Sequence, residues 1–302
     1  MDKEPLQEMA KVIIDRGFSE DSMKVLANRY VTYKFAESLE FARIAGIHYD
    51  IFRTNQDQQE KVKVLTIVEL LILAGDIMDD IQDQDAHENV PWSQVEDSYN
   101  FNIVVGIILI CLQEVSEFGR GQPQADIYQL LLQSINGQQI DLQNELLTED
   151  DYFHMCFLKS GSLIAIACLL GAGHIEESIS EKIKAYANYL GVIFQLRNDV
   201  NDMEEGFSKN DLLHKKRTLP ILYYLNTDNQ AYTVIQDYYL NSSSNQDVSI
   251  VHRDLMNEDA LLYCTVVEKV FIRKFHQAVE QLGLSSIQEE RLLQIATVAE
   301  NG

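Results

Sequence analysis

The stretch LLILAGDIMDDIQDQD, residues 70–85, sets Asp76, Asp79, Asp80, Asp83 and Asp85 at the end of an apolar run with a 3.6-residue period. Like charges three and four positions apart repel on a helix surface, and a helix C-terminus is already the negative end of the dipole. The arrangement is unfavourable on both counts unless a cation joins it. At about 100° per residue, Asp79 falls roughly 20° from Val68 and roughly 40° from Gly75 on the helical wheel, and Asp83 roughly 60° from Val68. The stripe Leu65, Val68, Ile72, Gly75 therefore runs into the carboxylates, whereas a solvated acidic face would lie opposite it.

A second stretch, FQLRNDVNDMEEG at residues 194–206, repeats the pattern: Ala187, Gly191, Phe194, Asn198 and Asp202 share one face, with Gln195 and Asp199 at its edge. Hard oxygen donors without His or Cys select an ion such as Mg²⁺, which keeps several waters and is usually shared with substrate phosphates. An EF-hand does not fit. A loop beginning at Asp83 puts Glu88 at the obligatory glycine and Gln94 at the bidentate glutamate, and one beginning at Asp79 puts Ile81 at a ligand position.

Outward from these runs, nearly every segment keeps the helical period. It predicts helices near 6–16, 21–50, 58–84, 93–119, 124–145, 149–172, 176–204, 220–226, 230–241, 258–282 and 286–299. Breaks fall at Gly119–Pro123, Gly171–Gly173 and Ser242–Gln246, and no linker is long enough to divide the chain. The expectation is an all-α protein, a single large helical bundle spanning residues 1–302. With 46% hydrophobic residues it has material for a large core. Lys and Arg number 24 against 47 Asp and Glu, a net charge of -23, which argues against nucleic acid and anionic membrane as partners. The four cysteines have no CxxC spacing and sit in apolar stretches, as reduced core thiols would. The apolar runs Ile103–Leu112 and Leu163–Ala172 are about half the ~20 residues a spanning helix needs, and the N-terminus lacks a signal-peptide core. A soluble, cytoplasmic protein without a membrane span is expected.

The ordered motifs resemble those of the trans-isoprenyl diphosphate synthases. Asp79-Asp80-Ile81-Gln82-Asp83 is similar to that family's first DDxxD motif, and Phe194 to Asp202 to its second, with Asn198 in place of the first aspartate. Gly137-Gln138-Gln139-Ile140-Asp141-Leu142 resembles GQxxDL, Lys159-Ser160-Gly161-Ser162-Leu163 resembles KTGxL, and Asp211-Leu212 with Lys216 to Pro220 resembles DLxxGKxTLP. The resemblance spans roughly residues 60–225. It implies an isoprenoid-synthase fold with a central deep pocket and Mg²⁺ held by Asp79, Asp80, Asp83, Asn198, Asp199 and Asp202. It further implies an allylic isoprenyl diphosphate bound with the help of Lys159, Lys216 and Lys209 and of Gln138, Asp141 and Gln195. Catalysis would rest on Asp79, Asp80, Asp83, Lys159, Asp199 and Lys216, and the protein would be a homodimer. In the family, bulky residues four and five positions before the first aspartate floor the pocket; here these are Gly75 and Ala74, which leave room for a farnesyl chain.

The sequence departs from that family where the second substrate, isopentenyl diphosphate, binds. The region FAESLEFARIAGIHYD, Phe35–Asp50, has no GGKRxRP run, and the RRGxP pair is replaced by His87-Glu88-Asn89-Val90-Pro91. Glu88 puts an anion where a second diphosphate would rest. This pattern is similar to the competence-pheromone-modifying branch (the ComQ type), which implies transfer of a geranyl or farnesyl group to a tryptophan of a short precursor peptide in quorum sensing. The chain's own Trp92 reads as structural. A short-chain synthase of geranyl, farnesyl or geranylgeranyl diphosphate with a degenerate isopentenyl site is the alternative, and a catalytically silent partner subunit is the non-enzymatic one. A terpene cyclase is disfavoured, because Asp202 and Gly206 stand where its second motif needs Ser/Thr and Glu.

Overall fold

A computed structural model describes residues 2–83, 89–118, 124–204, 212–240, 248–255 and 258–297. Among them there is no strand. The helices begin with α1 (Glu4–Gly17), α2 (Asp21–Ala36), α3 (Glu40–Phe52), α4 (Gln58–Asp83) and α5 (Asp97–Glu117), a short 3-10 turn (Pro91–Gln94) preceding α5. Next come α6 (Gln124–Gln143), α7 (Glu149–Cys156), α8 (Ser162–Ala172) and α9 (Glu177–Glu204), with a π-helical turn (Phe157–Gly161) joining α7 to α8. Last are α10 (Leu219–Asn226), α11 (Thr233–Leu240), α12 (Val248–Leu255), α13 (Glu258–Glu280) and α14 (Ser286–Thr297). The chain forms two compact units: Met1–Leu132 with Leu163–Ile183 and Ser285–Leu292, and Gln133–Ser162 with Lys184–Leu284 and Leu293–Gly302.

In the first unit α4 is the central helix and packs against α1, α3 and α5. Every residue from Val64 to Ala74 is buried, Thr66 and Glu69 included, so this stretch is enclosed on all sides until Gly75, where partial exposure begins. Its start is fixed by Asp57, whose Oδ1 accepts from the backbone N–H groups of Gln59 (2.8 Å) and Glu60 (3.2 Å). The period predicted one helix over 21–50, but the structure breaks it at 37–39. No Gly or Pro marks the break. The α2 terminus is closed instead by Lys3, whose ammonium donates to the Ala36 carbonyl (3.0 Å) and to that of Glu37.

In the second unit α10 packs on α7 and α13, and α11 on α10 and α12. A capping box starts α7: the Asp151 N–H donates to Thr148 Oγ1 at 3.1 Å, and the Thr148 N–H to Asp151 Oδ2 at 2.9 Å. The α12 segment had not been anticipated; Val251 and Leu255 join a core with Leu212, Ile221, Tyr224 and Ile235. All four cysteines are free and buried. Although the apolar runs are short, two helical stretches, Asp97–Glu117 and Glu149–Ala172, are long and apolar enough by composition to cross a membrane. Core helices of this kind pass the same test, and most of the second stretch is buried.

Candidate active site

On α4, Asp76, Asp79, Asp80 and Asp83 stand at i, i+3, i+4 and i+7, so one face carries all four, and the three motif aspartates are half-buried. Lys34 of α2 places Nζ 2.7 Å from Asp76 Oδ2. Burial works against the Lys34 charge, but Asp76 and Glu69 outweigh it and the pKa is raised. Trp92, in the 3-10 turn, donates its indole N–H to Asp80 Oδ2 at 2.6 Å. One turn before Asp79, Gly75 opens onto free space: a Cβ built there meets no neighbour within 4 Å, whereas Ala74 is buried in the core.

In the second unit Asp141 on α6 gathers two cations, Lys159 Nζ at 2.8 Å and Lys216 Nζ at 3.5 Å. Its own burial would raise its pKa, but the two ammonium groups hold it below the usual carboxylate range. Asp199 on α9 is buried and has both oxygens engaged: Tyr152 OH donates to Oδ2 at 2.7 Å and Gln195 Nε2 to Oδ1 at 3.0 Å. Gln195 is fixed in turn by Ser160 Oγ, which donates to its Oε1 at 2.9 Å. Burial, with Asp141 adding to it, raises the Asp199 pKa to about 7 against the pull of Tyr152, Lys216 and Gln195.

Local backbone geometry brings these groups together. The π-helical turn carries Lys159 and Ser160, and α6 approaches it through Gly137, where a Cβ would lie 2.2 Å from the Lys159 nitrogen. Gly191 does the same for α9, with its absent Cβ 2.5 Å from the Gly161 nitrogen. Asn144, at φ 53°, clamps the segment that presents Lys216. Its Oδ1 accepts from the Arg217 N–H at 2.7 Å and its Nδ2 donates to the Lys215 carbonyl at 2.9 Å.

The residues singled out from sequence thus fall into two sets. Lys159, Lys216 and Asp141 meet, as do Gln195 and Asp199; Gln138 is buried on the same helix as Asp141. Asn198 is exposed and Asp202 half-buried, while Asp199, placed at the edge of the wheel face, is the buried member. Lys209, Asp211, Asp85, His87 and Glu88 lie outside the described residues. Tyr152 and Asn144 had escaped sequence reasoning because neither belongs to a motif, and the Trp92–Asp80 contact because the motif that holds Asp80 does not disclose its donor.

The carboxylates suit Mg²⁺ in chemistry, being hard oxygens at both clusters. Among the described residues no three His, Cys, Asp or Glu side chains converge enough to hold a metal alone.

The polyprenyl synthetase profile matches residues 38–255. A tryptophan prenyltransferase ComQ of Bacillus subtilis subsp. natto (strain BEST195) is 26% identical over 295 residues, covering 97% of this chain and 92% of that protein. The heptaprenyl diphosphate synthase of Staphylococcus aureus superposes with a TM-score of 0.80 at 16% identity, covering 98% of this chain and 97% of that one. The geranylgeranyl pyrophosphate synthase of Corynebacterium glutamicum, complexed with calcium and isoprenyl diphosphate, superposes with a TM-score of 0.77 at 20% identity, covering 97% and 92%. These structural likenesses establish the all-α isoprenoid-synthase fold. With aspartate runs, a lysine pair and a family match over well more than half its length, the chain belongs to the polyprenyl synthetase family and is a prenyltransferase.

Proposed function

We propose that the protein ionises an allylic isoprenyl diphosphate, geranyl or farnesyl, and transfers the prenyl group to a tryptophan of a short precursor peptide in competence signalling. The observation that carries this reading is the bonded Asp199 and the Lys159–Asp141–Lys216 group, residue types that suit a diphosphate, taken with a sequence that has Glu88 where a second diphosphate would need a cation. Similarity over 97% of the chain to a protein named tryptophan prenyltransferase supports the same acceptor.

Asp79, Asp80 and Asp83, with Asp199, Asp202 and Asn198, are the proposed Mg²⁺ holders. Bound Mg²⁺ supplies charge neutralisation to the departing diphosphate. Lys159 and Lys216 donate charge-assisted hydrogen bonds to it, and Lys209 is proposed to add a third. Asp141 serves as their common counter-ion, keeping both ammonium groups charged and adjacent. Tyr152 and Gln195 hold Asp199 in one orientation. As the C–O bond breaks and diphosphate leaves, the electron-rich C3 of an indole forms the new C–C bond and the acceptor peptide releases one proton; this acceptor needs no diphosphate site. The open space at Gly75 suits a long prenyl tail. A second copy of the chain is proposed to cover the exposed stripe Phe101, Val105, Leu109 on α5.

Wild-type protein incubated with Mg²⁺, farnesyl or geranyl diphosphate and a tryptophan-containing precursor peptide should yield peptide heavier by one prenyl group in a mass spectrum. Asp79→Ala and Asp199→Ala should abolish that product. Similarity to proteins named geranylfarnesyl diphosphate synthase and short chain isoprenyl diphosphate synthase, 28% and 26% identical over 170 and 188 residues, favours a second reading, a short-chain synthase. Efficient incorporation of isopentenyl diphosphate without any peptide would establish it and sink the first. No turnover with either acceptor would leave the silent-subunit reading.

A further inference from the structure

Trp92 is the only tryptophan of the chain, and it is 4% exposed. Its single polar atom, the indole N–H, can only donate, and it does so to Asp80 Oδ2 at 2.6 Å, the short distance of a charge-assisted bond. The ring has little freedom to turn away. Tyr33 and Tyr30 meet it edge-on, with centroids at 5.4 and 5.6 Å and interplanar angles of 83° and 80°. Its backbone is held as well: Asn100 Nδ2 donates to the Trp92 carbonyl at 3.0 Å, and Tyr30 OH donates to Asn100 Oδ1 at 2.5 Å. Asn100 and Tyr30 are both fully buried. Residues of α2, the 3-10 turn and α5 thus combine to aim one N–H at one carboxylate of the first aspartate run. Packing alone would be met by any apolar ring here.

We propose that Trp92 is a positioning residue of the first aspartate motif, its indole N–H fixing the Asp80 carboxylate in the orientation that receives Mg²⁺ and diphosphate. The inference rests on the reading that Asp79, Asp80 and Asp83 bind that pair. Outer-sphere partners of metal-binding carboxylates of this kind are worth about 10–100-fold in metal affinity.

Because the tryptophan is single, growth of an auxotroph on β-(3-benzothienyl)alanine replaces Nε1–H by sulfur at this one position and keeps the ring's shape. The Mg²⁺ concentration for half-maximal prenyl transfer should rise roughly 10–100-fold, with kcat at saturating Mg²⁺ retained and the thermal midpoint unchanged. An unchanged Mg²⁺ requirement in a folded protein overturns the proposal. Should the substituted chain not fold, ¹⁵N-indole-labelled wild-type protein decides. Its one indole cross-peak should move when Mg²⁺ and inorganic pyrophosphate are added, and Asp80→Ala should shift the peak upfield and abolish the response. A peak indifferent to metal overturns the proposal equally. A wild-type protein with no Mg²⁺-dependent transfer retires the underlying function instead, an outcome distinct from an active enzyme whose Mg²⁺ requirement ignores Trp92.

Discussion

Glu69 sits almost without exposure two turns before the first aspartate run, with Oε1 accepting from the Ala42 N–H at 2.6 Å. Its Oε2 has no hydrogen-bond partner among the described residues. Burial raises its pKa from 4.5 to about 7, although Lys34 and the Ala42 N–H oppose the shift. The folded chain therefore keeps a proton that the unfolded chain releases over that interval. The stability tied to it is fully present below about pH 4 and is lost as pH climbs to about 7. At 1.36 kcal/mol per pH unit, the effect is roughly 3 kcal/mol. Glu69→Gln should match wild type in urea unfolding at acid pH and become progressively more stable than wild type by pH 8. A difference that ignores pH would show that Glu69 is already ionised in the folded chain. Asp199, also buried, differs in having both oxygens bonded, by Tyr152 and Gln195. Sequence marked Asp199 through its motif and could not mark Tyr152, 47 residues away, because nothing local requires a hydroxyl there.

Among the elements, α4 was the most legible, since an apolar stripe that ends in carboxylates is visible without any tertiary contact. The break between α2 and α3 was not, because it depends on the Lys3 ammonium reaching carbonyls more than thirty residues away. The π-helical turn was equally hidden; it depends on how α6 and α9 pack on it through glycines. Gly137→Ala would force a Cβ onto the Lys159 nitrogen and to 2.7 Å from the Leu158 carbonyl carbon, atoms that cannot rotate away. It should cost about 1–3 kcal/mol or more in chemical denaturation and lower prenyl transfer through displaced Lys159. Gly75→Phe tests the opposite case, since space exists for the side chain. That variant should keep its melting temperature and shift donor preference from farnesyl towards geranyl by roughly tenfold or more in a competition read by mass spectrometry. Unchanged preference would place the prenyl tail away from this face of α4.

At the scale of the whole molecule, the α5 segment Ile103–Leu112 serves its own unit with Ile103, Val104, Ile107, Ile110 and Cys111 and leaves Val105 and Leu109 exposed. If the proposed second copy covers that outward stripe, Leu109→Asp should give a monomer where wild type is a dimer in sedimentation or light scattering, with little loss of helical signal. A variant with wild-type mass would remove α5 from the proposed interface. The sequence by itself determined an all-helical chain and two oxygen-rich helix ends, because helical period and like-charge crowding act over one or two turns, and it carried the Lys159 and Lys216 motifs. It also disclosed, through residues 87–91, that the usual basic pair is missing. Only the tertiary structure decided which donor holds each carboxylate: Trp92 for Asp80, Lys34 for Asp76, Tyr152 and Gln195 for Asp199. Apart from Gln195, each of those partners comes from another element, and a hydrogen bond needs a match of a few tenths of an ångström that only packing of the elements can supply.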